Sequence, residues 1–535
     1  MPVNLNKNPK PMMPSIFNDV IGPVMRGPSS SHTAASHRIG MIIRQVCPPE
    51  NGKVLVEFDR KGSLATTYEG QGSAMGLICG LLGVSFLDPS IVRYKELAEE
   101  RKLKIRFQIT DFEASHPNTY KIKVENNKQE QFHFIAVSKG GGMIEIQNIN
   151  GFEVLVRGDY FETLICCESQ PPEKVQKLFK ILKNRTDHSE ISLSQKGQNS
   201  FLINLKSRDP LLMKVKDLIN YSENVTWIRG IDPVMPILAA TNEKLPFTTI
   251  DELLKLSVQK GLDLADLAIL YECSRAGIDP EKALSLMYDI VSKIKNSIQE
   301  GLKGTTYKDR ILGHQSHLII EAEKDRKIIA TIQNKIIAYV TALMEAKSSM
   351  GIIVAAPTAG STGVLGGAIF SVAENFSDDP GSIVKAFLAA GLIGVFIAHK
   401  YTFAAEEGGC QVECGAASAM AAAGLVQLMG GTARQAINAS SLALQNVLGM
   451  ICDPVADRVE VPCLGKNILG ATNALNAANM SIAGFDPVLP LDEVIDAMKS
   501  VGESMPSSLC CTGLGGLSMT PTALKLHKEL KTKNL

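Results

Sequence analysis

Neither sign of charge prevails in this sequence. Its 55 basic and 55 acidic side chains cancel, so no net field draws it to nucleic acid or to an anionic membrane, and no local basic patch supplies one. The N-terminal stretch MPVNLNKNPKPMMPS lacks the apolar core that a secretory signal requires. The longest uncharged apolar run, Ala386 to Ala398, is too short to cross a bilayer as a helix. A second weakly polar run, Cys414 to Gly431, contains Ser, Gln and several Gly; both runs read as buried helices. No repeat of the solenoid kind is present, no CxxC pair, and no lysine in a recognisable pyridoxal-phosphate motif. These absences turn the reading away from nucleic-acid and membrane partners and towards a cytosolic, reducing setting. There, eleven cysteines serve as thiols or metal ligands rather than disulfides.

What is present is an ordinary globular balance, 45% hydrophobic and 21% charged over 535 residues, enough for two to four domains. The expected fold class is multidomain α+β. Residues 1–150 read as an α/β domain: KVLVEFD at 53–59, KLKIRFQIT at 102–110 and QFHFIAVS at 131–138 alternate as strands do, with helices near 33–45 and 71–83. Residues 151–235 read as a ferredoxin-like unit in the order βαββαβ. FETLICCE precedes a helix carrying Val175, Leu178, Phe179 and Leu182; EISLSQ and FLINLKS follow; a helix with Leu211, Val215 and Leu218 leads to NVTWIRGID. That unit is either a spacer or dimerisation module, or an ACT-like regulatory module for an amino-acid effector. From 240 to 535 the chain reads as helical, opened by the capping-box pair Thr249 and Glu252.

Five cysteines, 47, 79, 166, 167 and 273, sit in apolar or helical contexts and read as small buried hydrophobes. Six others lie in the last part of the chain beside Gly, Pro and polar residues. Cys410 in EEGGCQ, Cys452 in ICDPVAD and Cys463 in VPCLGKN occupy loop settings, too widely spaced for the paired ligands of a zinc site. Three thiolates without a fourth suit a cubane cluster that keeps one iron free of protein thiolate. Cys414, one helical turn from Cys410, competes for a ligand position, and a closed zinc site of Cys410, Cys414, Cys452 and Cys463 stays open as an alternative. A Gly-Pro turn leads to Ser29, Ser30, Ser31, His32 and Thr33 at a helix start, where backbone N–H groups and hydroxyls suit a carboxylate. The APTAGSTG loop offers Thr358, Gly360 and Ser361 as a second set of small donors.

The stretches EEGGCQVECGAASAMAAAGLVQLMGGT, CDPVAD…VPCLGKN with NALNAANMSIAG, and VAAPTAGSTGV resemble the α part of the iron–sulfur-dependent L-serine dehydratases. VIGPVMRGPSSSHTAASHRIG resembles the opening of that family's β part, so the chain resembles a β+α fusion, with only 150–240 loosely matched. The resemblance implies a 4Fe-4S cluster on Cys410, Cys452 and Cys463, a small amino-acid substrate, and β-elimination of L-serine to pyruvate and ammonia. The cluster would act as Lewis acid on the leaving hydroxyl and His32 as the base at the α-carbon. Two departures stand out. Gln71 in YEGQGSAMG falls where the family carries a histidine, and SSLCCTGLGG, with Cys510 and Cys511, replaces a charged segment. They leave room for L-cysteine, L-threonine or another β-substituted amino acid as substrate. The competing classes are a non-catalytic, cluster-bearing amino-acid sensor and a lyase acting on a hydroxy acid. A homodimer is compatible with either.

Overall fold

The computed structural model describes residues 13–219, 225–239, 245–376 and 379–533. It is a mixed α+β structure with two larger sheets, a two-stranded ribbon and many helices.

The first sheet has six strands in the order Lys104–Thr110, Lys53–Asp59, Thr119–Glu125, Gln131–Gly140, Met143–Ile149, Phe152–Val156. Its first pair is parallel and the rest antiparallel. Alternation does what the sequence implies: Phe132, Phe134 and Ala136 point inward while Gln131 and His133 face solvent. The buried face is covered by helix Ala35–Val46, whose Ala35, Ile39, Ile42, Ile43 and Val46 form one apolar stripe. Helix Ser73–Leu82 lies against that helix at close range. A Cβ on Gly76 would come 2.1 Å from the Thr33 carbonyl oxygen, and one on Gly80 2.1 Å from that of His37. Glycine is what lets these two backbones touch.

Residues 161–231 form a second sheet, ordered Trp227–Ile231, Phe161–Cys167, Ser200–Ser207, Glu190–Lys196, all antiparallel. Helices Pro172–Arg185 and Leu212–Ile219 connect its strands. Ile165, Phe201, Ile203 and Leu205 pack under those helices, whereas Leu164, Cys166, Leu202 and Ile231 join the core of the six-stranded domain. Both faces of the two central strands are therefore dry, which explains why FETLICC and FLINLKS are near-continuous apolar runs rather than alternating ones.

From Ile250 on, the described residues form helices joined by loops, with one three-residue strand, Ile352–Val354. The helix around Ala386–Ala398 extends to Pro380–Lys400, 21 residues, long and apolar enough by composition to span a bilayer, but 78% of its apolar window is buried inside the protein. It packs against Cys414–Leu428 at the centre of the largest hydrophobic core. Gly424, whose Cβ would lie 2.8 Å from the Ala386 carbonyl oxygen, permits their close approach.

Two features join the N-terminal and helical parts. Residues 13–21 enter the helical core, where Ile16, Phe17, Val20 and Ile21 are buried and the Ser15 hydroxyl donates to Glu272 at 2.6 Å. Strand Val24–Arg26 then pairs antiparallel with Ile352–Val354, Met25 opposite Ile353. The chain leaves this ribbon at both sides directly into the two loops, Ser29–Thr33 and Thr358–Ser361.

Candidate active site

The ribbon sets these loops side by side: the Ala359 backbone N–H donates to the Ser30 hydroxyl at 3.0 Å. Ser29 caps a wide helical turn over Ser30–Ala34, and its carbonyl accepts from Thr33 N–H at 2.8 Å. The Thr33 hydroxyl is used in binding the Gln71 carbonyl at 2.9 Å. Thr358 and Ser361 cap each other, the Thr358 hydroxyl accepting from Ser361 N–H at 3.2 Å. Ser30, Thr33 and Ser361 are thus bonded within the scaffold, while Ser29 and Ser31 turn towards His32.

His32 is fully buried. Its Nε2 lies 2.8 Å from the Thr67 hydroxyl, which itself donates to the Ser63 carbonyl at 2.7 Å. The single Thr67 hydrogen is thereby committed, so Nε2 carries the imidazole proton and Nδ1 is the basic atom. Nδ1 sits 3.1 Å from the hydroxyls of both Ser29 and Ser31 and 3.4 Å from Glu406 Oε1. The Ser31 hydroxyl donates to the same Glu406 oxygen at 2.8 Å. Burial lowers the His32 pKa, against the opposing pull of Glu406.

Glu406 and Glu407 open the segment leading to Cys410. Glu406 Oε2 is buried without a hydrogen-bond partner. Glu407 accepts from His116 Nε2 at 2.6 Å, with His116 Nδ1 accepting the Asn118 N–H at 3.1 Å. Asn118 has no exposed surface, and both of its side-chain amide atoms lack a partner. Its backbone carbonyl accepts from Ser138, whose hydroxyl donates to the Ser31 carbonyl at 2.7 Å. An unpaired amide of this kind costs about 1–3 kcal/mol when buried.

The thiols converge beside this pair of carboxylates. Cys410, Cys414, Cys452, Cys463, Cys510 and Cys511 are all buried and none is in a disulfide. Cys410 Sγ, Cys452 Sγ and a Glu413 carboxylate oxygen lie within 4.8 Å of one another. Cys452 is stitched to the 509–511 segment: its N–H donates to the Leu509 carbonyl at 2.8 Å, and Cys511 N–H donates to the Cys452 carbonyl at 3.0 Å. That pairing brings the Cys511 thiol against Cys452, and hydrogen bonds to Cys410 and Cys511, together with burial, raise the Cys452 pKa. Burial also raises Cys463, at the start of helix Cys463–Ile482, with the Cys410 charge adding to it. Two lysines lie near the thiols, and burial lowers the pKa of one of them, Lys347. Lys466 Nζ is 3.8 Å from Cys410 Sγ and 2.7 Å from Asp453, and Lys347, fully buried, donates to the Val459 carbonyl while facing Cys463. Burial pushes the Glu413 carboxyl up to about 7 against a hydrogen bond from Thr358.

Asn467 ties the remaining pieces: its amide donates to the Gly360 carbonyl at 2.7 Å and approaches Cys414 Sγ at 3.6 Å. Gln71 Nε2 donates to Cys511 Sγ at 3.4 Å, so the two departures from the family pattern touch each other. The sequence reading did not pick out Glu406, Glu413, Asn118, His116, Lys347, Lys466 or Asn467. Only the carboxylates flanking Cys410 carried a signal, as charged residues placed in a Gly-rich turn.

Buried thiols free of disulfides, with a carboxylate among them and a buried imidazole on the neighbouring loop, make a cysteine-rich site of the kind that can hold a metal centre. The comparisons make this specific. A family profile described as "Serine dehydratase alpha chain" matches residues 259–518. The α chain of L-serine dehydratase from Peptoniphilus asaccharolyticus is 38% identical over 286 residues, 52% of this chain and 97% of that one. A probable L-serine dehydratase α chain from Latilactobacillus sakei is 44% identical over 203 residues, 38% of this chain and 95% of the relative. An L-serine dehydratase of Escherichia coli (strain K12) is 32% identical over 288 residues, 52% of this chain and 63% of its own length. The chain belongs to the serine dehydratase α-chain family.

Proposed function

We propose that this protein removes the β-hydroxyl and α-proton of L-serine, yielding pyruvate and ammonia. The observation that carries the reading is the Ser31–Glu406 hydrogen bond of 2.8 Å. It fastens the loop bearing the basic His32 to the segment bearing Cys410, so base and thiol centre share one site.

The donor set suits a 4Fe-4S cluster: soft, buried, unpaired thiols with lysine charges beside them. Cys410, Cys452 and Cys463 would hold it, with Cys414 and Cys511 alongside. When bound, the cluster supplies a Lewis acid that polarises the leaving hydroxyl.

The chain's own residues do the rest. Glu406, with its free Oε2, receives the substrate ammonium, and the unpaired Asn118 amide is the donor we assign to the carboxylate. His32 Nδ1 takes the α-proton, and the resulting imidazolium is stabilised by Glu406 Oε1 at 3.4 Å. The Ser29 hydroxyl donates to Nδ1 and holds the ring, Ser31 fastens the loop to Glu406, and Thr67 fixes the tautomer. The aminoacrylate formed by loss of water tautomerises and hydrolyses without further help.

The βαββαβ order and fourth-first-third-second strand arrangement of residues 161–231 support a ferredoxin-like, ACT-like module. Because both faces are buried at the two central strands, an amino-acid effector would bind at the sheet's edges or helices. The division we favour is an α/β domain to about 150, this module to about 235, and the helical domain from about 240. The free thiols fit the cytosol.

Ammonia release from a panel of L-amino acids, measured on anaerobically reconstituted protein, tests the substrate. Turnover of serine ahead of cysteine and threonine is the expected result. Turnover of cysteine alone overturns the substrate, and tight amino-acid binding without turnover of any would favour a sensor.

A further inference from the structure

Glu413 lies in the joint between the short turn Gly409–Val412 and helix Cys414–Leu428, with φ −99° and ψ −80°, neither helical nor extended. This break turns its side chain back towards the preceding turn, while its N–H stays bonded to the Cys410 carbonyl at 3.2 Å. Among the described residues, its carboxylate is the single non-thiol donor that lies within 4.8 Å of two thiols that are themselves that close. The opposite loop leaves it room. A Cβ on Gly360 would stand 3.1 and 3.2 Å from the two carboxylate oxygens, so any side chain there would press directly on them.

We propose that Glu413 is the fourth protein donor of the thiol site, a carboxylate ligand that gives up its place to the substrate hydroxyl. The inference rests on the reading of the site as one that holds a four-iron cluster on three cysteines. An oxygen donor beside three thiolates is the member of such a set most readily exchanged for another oxygen. In the exchange the iron–oxygen bond to Glu413 breaks as that to the serine oxygen forms. The carboxylate leaves with its electron pair, and no electron is transferred. Lys347 and Lys466 attract the released carboxylate, against burial and the charge of Glu406. Cys511 is the rival donor, but its thiol lies outside the close group.

The test is the electron paramagnetic resonance spectrum of the reduced, reconstituted full-length protein in ¹⁷O-enriched water, without substrate. With Glu413 in place, solvent is kept off the fourth iron: wild type and Cys511→Ser should show no ¹⁷O broadening, and Glu413→Gln should gain it. Should Glu413→Gln fail to hold the cluster, Glu413→Asp, whose carboxylate is one methylene short, should show the broadening instead. Broadening in the wild type, its appearance in Cys511→Ser, or its absence from a cluster-bearing Glu413 variant would each overturn the proposal. A protein that takes up no iron and sulfide would instead remove the reading on which the proposal stands.

Discussion

His32 is held between two opposing effects, burial that disfavours its charge and Glu406 that favours it, and burial is the larger. The ring is therefore neutral at neutral pH and available as a base. The acid limb of kcat/KM for serine should lie below the ordinary histidine value of about 6.5, and a limb above that value would contradict the assignment. His32→Ala should lower kcat by about 10²- to 10⁴-fold, the usual contribution of a general base, with the bound iron unchanged. Asn118 supplies a different test, because its unpaired amide costs stability in the free enzyme. Asn118→Leu, close in volume and apolar, should melt no lower than wild type while KM for serine rises at least about tenfold, roughly 1.4 kcal/mol. A lower melting temperature with unchanged KM would make Asn118 merely structural. His37 shows the same physics without chemistry. Its ring donates to the Val84 carbonyl at 2.8 Å and burial lowers its pKa to about 4. The unfolded chain binds this proton first, so stability should fall as pH drops from about 6.5 to about 4, by on the order of 3 kcal/mol from this group. Unfolding of wild type and His37→Asn across that range would read the difference.

Among the elements, those with one wet face were the legible ones. Gln131–Gly140 alternates because one side meets solvent, and Ala35–Val46 carries a stripe because one side meets the sheet. The capping box of Thr249 and Glu252 forms as their spacing implies, and Thr249→Ala should cost about 1 kcal/mol in urea unfolding. The central strands of residues 161–231 were found through their turns and lengths, since strands buried on both faces have no alternation to read. What no local pattern reveals is the packing of helix on helix. Gly76 gives no outward sign in the sequence, yet its hydrogen stands where a Cβ would strike the Thr33 carbonyl at 2.1 Å. Gly76→Ala should push helix Ser73–Leu82 away from the His32 turn and destabilise the protein by about 1–3 kcal/mol. Serine turnover should fall while the iron content, set by residues on the other side of the site, stays.

At the scale of the whole molecule the site depends on contacts that span hundreds of residues. Met25 opposes Ile353, Ser30 meets Ala359, Ser31 meets Glu406, and Gln71 meets Cys511. The motifs at the ends of these contacts were legible one by one, as a hydroxyl-rich turn, a Gly-rich turn and loop cysteines. Their assembly was not, because it is set by a three-residue ribbon with no pattern of its own and by residues 13–21 buried in the distant helical core. The same dependence means that both halves of the chain are needed for activity. The most direct test is to load the purified protein stepwise with iron and sulfide under anaerobic conditions and to measure pyruvate formed from L-serine at each step. The account predicts turnover in proportion to cluster content, lost on exposure to air and absent from Cys452→Ala at every step. Serine turnover by the metal-free protein, or by a fully loaded Cys452→Ala, would contradict it.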